Sequence, residues 1–481
     1  MIWAATWCQS VYAWYRLRHI KGPWHAGWSQ LWLMNSVSSG NMHWKYAKVC
    51  EKHGGLARVG PNFLVTNDPD QMRKMLAARS PYLRSDWYTG MKFDPSRDNI
   101  TSERNEKRHT ELRAKLALGY SGKEVPHLEA QIDENIANFI VLLNKYVSTP
   151  DSDYKPFDFA RKTQYFTLDI ITHIAFGKTF GYLATDSDLY GYIKAVEETM
   201  GAAMMVTVLP WINWVLQTRL MKRVMPDEKD PIGFGKVLGI AKAVVAQRFG
   251  PGAKARDDML GSFIKHGLTA EEAQSEIVVQ IIAGSDTTAI AIRIIVLYLI
   301  TTPRVLSKFR AEYSRASISS PITDAEARNL PYLQAIIKEG LRIWPPIVGL
   351  QAKLVPPGGD VINGHFVPAR TKIGTAIFGI MRNKKVFGED ADVFRPERWL
   401  DAPPEKIKQR EQTVDLVFGA GRFKCLGNSV ALIELNKIFI ELFKRFDFAS
   451  VDPQKPIGSI EAKGIFTIRD FWITATRRED E

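Results

Sequence analysis

Phe418-Gly419-Ala420-Gly421-Arg422-Phe423-Lys424-Cys425-Leu426-Gly427 is a glycine-punctuated loop that runs directly into an apolar stretch beginning at Asn428. A helix starting there would present free backbone N–H groups and the positive end of its dipole to the Cys425 side chain, which favours a thiolate. A free cysteine taken at random is most often inert packing. This one, set among glycines at the head of a helix, reads as a metal-binding sulfur.

Working outward, Thr269-Ala270-Glu271-Glu272 fits a capping box, and the chain then stays apolar to about Ile300, where Thr302-Pro303 forms a stop. At ~1.5 Å per residue such a helix reaches about 45 Å, enough to cross a whole domain. It is apolar nearly all round, so it belongs in the interior. Its polar interruption, Ala283-Gly284-Ser285-Asp286-Thr287-Thr288, is either a Ser/Thr-rich kink or an acid and an alcohol placed in the core for chemistry. Downstream, Glu339-Gly340-Leu341-Arg342 sets opposite charges three residues apart on a helix ending at Pro345-Pro346. If exposed, that pair contributes only ~0–1 kcal/mol.

With Phe394-Arg395-Pro396-Glu397-Arg398-Trp399 added, these landmarks resemble the cytochrome P-450 family in order and spacing, over about residues 22 to 475. The resemblance implies a mainly α fold with small β-sheets (α+β) and a long central helix over a buried haem, heme b. It implies Cys425 as axial ligand of the haem iron, within a loop framed by Phe418, Gly421 and Gly427. It implies Asp286 and Thr287 as the acid–alcohol pair of oxygen activation, Ala283 beside them, and Gly284 letting the helix open over the haem. Glu339, Arg342 and Arg398 become a buried structural cluster. His109 and Arg113, four apart in Lys107-Arg108-His109-Thr110-Glu111-Leu112-Arg113, are expected at the haem propionates, as is Lys353. The family usually has Arg or His two residues before the ligand. Phe423 stands there instead, so propionate binding shifts to those three groups or to a displaced Arg422. Gly119-Tyr120-Ser121-Gly122-Lys123 resembles the fungal, pisatin-demethylase-like branch.

Bulk properties agree with one large domain. The 481 residues are 45% hydrophobic and 24% charged, an ordinary globular composition, and no low-complexity linker divides them. Residues 1–21 read as a partial or truncated membrane anchor with a basic flank, and 22–481 as the single catalytic domain. The apolar, aromatic residues 1–15 are shorter than the roughly 20 that a span needs. Cys8, Cys50 and Cys425 form no Cys-x-x-Cys pair or disulfide framework, which points to a reducing compartment. Lys and Arg number 64 against 52 acids, a net charge of +12. These basic residues are dispersed, which argues against nucleic acid. Short strands are expected around the Gly60-Pro61-Asn62 turn and at the Asn363-Gly364 hairpin signal.

By the same resemblance the substrate is a hydrophobic small molecule, met by Trp87, Phe93, Met204, Met205, Ile347, Val348 and Phe466. No Gly-x-Gly-x-x-Gly dinucleotide fingerprint appears, so electrons must come from a separate NADPH-cytochrome P-450 reductase. Lys107, Arg108, Arg422, Lys424 and Lys437 are the candidates for its acidic surface. The expected setting is a monomer at the endoplasmic reticulum membrane, with its catalytic domain facing the cytosol and Trp211 and Trp214 suited to the lipid interface. Alternatives keep the fold but catalyse rearrangement, dehydration or oxidative coupling, or make the chain a haem-binding sensor without turnover.

Overall fold

The computed structural model describes residues 11–149 and 154–478. The helices that position the site are α1 (Glu106–Tyr120), α2 (Phe159–Phe176), α3 (Tyr192–Val208), α4 (Ala270–Thr301), α5 (Pro331–Ile343) and α6 (Asn428–Phe443). The expected capping box starts α4: Glu272 N–H donates to Thr269 Oγ1 at 3.2 Å, and Thr269 N–H donates back to the Glu272 carboxylate at 2.9 Å. Ile277, Ile281, Ile290, Ile294 and Leu299 are buried along its length. The helix is long and apolar enough to cross a membrane, but it is wrapped in protein and serves as the axle of the core.

One expectation fails on this axle. Gly284 does not open the backbone, because α4 is continuous through it. The glycine instead allows close packing against α2: a Cβ at position 284 would stand 2.6 Å from Ile171 Cγ1. Small size, not flexibility, is what the position requires.

Beside the helices lies a five-stranded sheet, ordered β1-β2-β5-β4-β3, made of β1 (Leu56–Gly60), β2 (Phe63–Thr66), β3 (Leu83–Arg84), β4 (Lys353–Leu354) and β5 (Lys372–Thr375). β1 and β2 form the expected hairpin, and β2 then pairs in parallel with β5, Val65 opposite Gly374. The Asn-Gly signal is a two-stranded hairpin of 360–362 with 365–367, with φ +48° at Asn363 and +78° at Gly364, the backbone that this turn demands. β4 joins β5 to β3 and puts Lys353 directly across from Arg84.

Of the expected anchor, residues 1–10 lie outside the described residues. Residues 11–17 are helical and dock on the sheet. Buried Arg58 on β1 holds them, donating to Ala13 O at 3.0 Å and Trp14 O at 3.2 Å, and also to Gly27 O at 3.2 Å and Pro61 O at 2.6 Å. The Trp14 ring stacks on Trp28 at 4.9 Å.

The packing at Gly284 sets a first test. Gly284→Ala forces Ile171 aside and should cost about 1–3 kcal/mol of stability, read as a lower urea midpoint at unchanged slope; an unshifted midpoint would refute the close-packing account.

Candidate functional site

The cysteine loop is fixed from both ends. Cys425 N–H donates to Phe418 O at 2.7 Å, closing the loop, and Gly427 is the N-cap of α6. Gly421 has φ +56°, and a Cβ there would collide with the carbonyl oxygen of Leu76, so both its conformation and its surroundings require glycine. Cys425 is exposed, yet protein crowds closely around its sulfur. Burial pushes the thiol up, while the Gly427 and Asn428 N–H groups, Arg113 and Lys424 act in favour of the thiolate. The expected helix-head sulfur environment is therefore present, with the dipole opposing rather than overcoming desolvation.

Around the same loop the chain gathers cationic side chains with too few anions to pair them. Lys353 is 1% exposed; its Nζ stands 3.2 Å from the centroid of the Phe423 ring and has no hydrogen-bond partner among the described residues. Arg84 lies 4.7 Å from the same ring and donates to Ile100 O at 3.0 Å and Glu103 O at 2.7 Å. The buried His109 ring packs on Phe423 at 5.1 Å, and its Nδ1 has no partner either. Arg422 donates to Ser80 O at 3.0 Å and pairs with Glu106 at 3.1 Å. Burial, then Arg84, lowers Lys353 to about 6; burial, then Arg84 and Arg113, lowers His109 to about 3. Buried, unpaired donors of this kind suit a ligand that carries carboxylates, as haem does. The sequence did not single out Arg84. Its only signal is the strand register that sets it opposite Lys353.

On α4, Ala283 is exposed and Thr287 partly so, and Thr287 Oγ1 donates to Ala283 O at 2.9 Å. Asp286 points elsewhere. It is buried towards α2, where it accepts a hydrogen bond from Gln164 Nε2, and Gln164 Oε1 in turn accepts from Arg293 at 3.0 Å. Burial pushes the Asp286 carboxyl up to about 7, against the pull of Arg293 and with a further push from Glu197. Asp286 and Thr287 are therefore adjacent in sequence but face different environments, as successive residues on a helix do. The sequence reading did not single out Arg293; its signal is an isolated charge two turns beyond Asp286 in an otherwise apolar run. Glu276 lies on the Thr287 face three turns earlier, buried, with Ile100 N–H donating to its Oε1 at 2.7 Å.

The Glu339 cluster is complete and inaccessible to solvent. The Glu339 carboxylate receives Arg342 Nε and Nη2, each at 2.9 Å, Arg398 Nε at 2.9 Å, Arg395 N–H at 2.8 Å and Trp399 Nε1 at 3.0 Å. Burial alone would raise this carboxyl, but Arg342 and Arg398 hold it below its usual range.

The expected substrate contacts divide. A cleft of about 440 Å³ opens between Ser38, Gly201, Ala202, Met205, Ile212 and Lys463, so Met205 belongs to it. Met204 and Val348 are buried, and Trp87 packs edge-on against Tyr88 at 5.1 Å. Phe93 is half-buried against Phe234, and Ile347 is partly exposed beside Ile465. Phe466 is buried too, in an aromatic cluster with His43 at 4.9 Å and Trp344 at 5.0 Å. Lys437 is corrected. It is fully buried and paired with Glu129 at 2.6 Å and Asp133 at 2.9 Å, whereas Lys107, Arg108 and Lys424 are exposed.

Comparisons with known proteins agree with one another. The family model described as Cytochrome P450 matches residues 21–470. The chain is 41% identical to Cytochrome P450 monooxygenase ABA1 of Pyricularia oryzae over 96% of this chain and 93% of that protein. It is 30% identical to Pisatin demethylase of Fusarium vanettenii, over 90% and 83% respectively. A solved structure titled as the cytochrome P450DA heme domain superposes with TM-score 0.73 at 18% identity, covering 91% of this chain and 93% of the other.

Two measurements test the electrostatics. Arg398→Ala leaves Glu339 short of a buried partner and should lower stability by about 3–5 kcal/mol; a denaturant midpoint like that of the parent would contradict the pairing. For Glu276, burial raises the carboxyl from 4.5 to about 8, with Ile100 N–H opposing and Glu272 adding. The folded chain then keeps a proton that the unfolded chain has released, so stability falls as pH rises from about 4.5 to 8. Glu276→Gln should lose less stability than the parent between pH 5 and pH 8, and parallel midpoints across that range would count against the burial shift.

Proposed function

The chain belongs to the cytochrome P450 family of haem-thiolate monooxygenases, and from that premise we propose that it inserts one oxygen atom from O2 into a lipophilic small molecule of fungal secondary metabolism. The observation that carries this is Cys425, held at the head of α6, a helix that packs against α4, where Thr287 is only partly buried. Two features support a haem, read here as haem b: the soft sulfur donor and the neighbouring basic side chains, of which Lys353 Nζ and His109 Nδ1 lack hydrogen-bond partners among the described residues, which suits propionates. When bound, that group supplies the oxidising chemistry.

The chain's own residues supply the rest. Cys425 Sγ would be the iron ligand, and Arg84, His109, Arg113, Lys353 and Arg422 would orient the carboxylates. The Thr287 hydroxyl, already bonded to Ala283 O, can rotate to offer its hydrogen to a bound ligand. Asp286, titrating near neutrality, is suited to hold and release a proton behind it, with Gln164 fixing one oxygen. Met205, Ile212 and Gly201 line an open cleft whose apolar walls suit the arrival of a lipophilic substrate.

Family members take electrons from a redox partner, and the partner inferred here is NADPH-cytochrome P-450 reductase, docking on the exposed Lys107, Arg108 and Lys424 with the partly exposed Arg422, and without Lys437. Residues 1–21 are read as the anchor and 22–481 as one catalytic domain, monomeric and lying on the cytosolic face of the endoplasmic reticulum. Exposed Trp211, Trp214 and Leu220 support contact with a lipid surface.

The decisive experiment is reconstitution of the purified chain with reductase, NADPH and O2, using substrates found by screening for a ferric low-spin to high-spin shift. Oxygenated product is expected. Product that forms without O2, or a spin shift with no turnover, would replace the proposal by rearrangement chemistry or by a sensor. Cys425→Ala should abolish the red-shifted Soret band of the reduced carbon monoxide adduct, and a persisting band excludes that ligand. Thr287→Ala should lower product per NADPH consumed by about tenfold or more; unchanged coupling removes Thr287 from the reaction.

A further inference from the structure

Phe423 stands where a cation is usual in the family, yet three cationic side chains converge on its ring. Lys353 Nζ lies 3.2 Å from the ring centroid, the Arg84 guanidinium 4.7 Å and the Arg422 guanidinium 5.6 Å. Lys353 and Arg84 face each other on paired strands, so burial and then Arg84 disfavour the charged form of Lys353 until an anion such as a haem carboxylate is beside it. Lys353 has given up water without gaining a hydrogen bond among the described residues, a costly state for an ammonium. Among the described residues the Phe423 ring makes the nearest attractive contact with it, and the Tyr88 ring lies further off, at 5.6 Å. A cation at position 423 would place another positive charge against Lys353 and Arg84. An aromatic ring there does the opposite, because it attracts both.

We propose that Phe423 is a positioning residue: its ring holds the Lys353 ammonium in place for a haem carboxylate, so that the cation reaches the haem edge from β4 instead of from the cysteine loop. The inference rests on the reading of the cation cluster as the seat of the haem carboxylates. It assigns the ring an electrostatic role that apolar bulk alone would not fill. An aliphatic side chain of similar size lacks the quadrupole, whereas tryptophan keeps and strengthens it.

The test uses the holoenzyme and four variants: Phe423→Leu, Phe423→Trp, Lys353→Met and the Phe423→Leu/Lys353→Met double variant. Haem transfer to excess apomyoglobin and the ferric/ferrous midpoint potential are measured for each, with the urea midpoint as a check on folding. Phe423→Leu should release haem about 5- to 30-fold faster and shift the potential negative, because the positive charge near the carboxylates is no longer fixed. Phe423→Trp should stay close to the parent. In the Lys353→Met background, Phe423→Leu should add little to either readout. If Phe423→Leu has the same effect with and without Lys353, the ring is packing only and the proposal is overturned. If Lys353→Met leaves haem release and potential unchanged, the cluster does not seat the carboxylates, and the premise falls together with the inference. A Phe423→Leu protein that does not fold leaves Phe423→Trp to decide: faster haem release from a folded tryptophan variant also overturns the proposal.

Discussion

A carboxylate in a protein interior must be surrounded by donors or it cannot stay charged, and Glu339 meets that condition with two arginines, an indole and a backbone amide. The consequences reach well beyond the pair. Arg342 spends its remaining donors on Met381 O at 2.8 Å and Ala391 O at 2.6 Å, and Arg398 spends its own on Phe387 O at 2.6 Å and on Asp390. Segments that form little regular structure between residues 381 and 399 are thereby tied to α5. Asp390, shared by Arg398 and by Arg395 at 2.6 Å, brings a second negative charge against the arginines. The charges nearly balance, which is why so polar a cluster can lie in the core.

The cysteine loop obeys the opposite logic. Basic side chains accumulate around Phe423 with Glu106 close by as an acid, and burial disfavours the charged forms of Lys353 and His109. A structural cluster would be expected to neutralise itself, as the Glu339 cluster does. One that leaves donors unmatched is suited to receive charge from a ligand. The contrast between two buried polar groups within the same chain separates scaffold from site more clearly than either does alone.

Much of this was legible in the sequence, because the strongest signals are local. The capping box at Thr269, the Asn363-Gly364 turn and the glycine loop before Cys425 each encode their backbone within a few residues. Glu339, Arg342 and Arg398 could be linked only because their motifs resemble known ones, since no spacing rule brings 339 and 398 together. What escaped was set by tertiary register and orientation. Arg84 becomes part of the site only when β3 pairs with β4. Lys437 looks like any surface lysine until α6 is packed against the helix of residues 128–144. Gly284 looks like a hinge in sequence, and only the neighbouring Ile171 shows that it is a contact point.

The sheet that carries Lys353 is assembled from distant parts of the chain, with Val65 beside Gly374 and Arg84 beside Lys353. During synthesis, β2 therefore leaves the ribosome without its partner and must wait for some three hundred residues, on the order of a minute or less at ~5–20 residues per second. Its edge is exposed throughout that interval, a period in which chaperone capture and aggregation compete. The cysteine loop emerges later still, after Lys372–Thr375 has appeared. Acquisition of the prosthetic group is thus placed near the end of folding, when the cations that would receive it have only just been brought together.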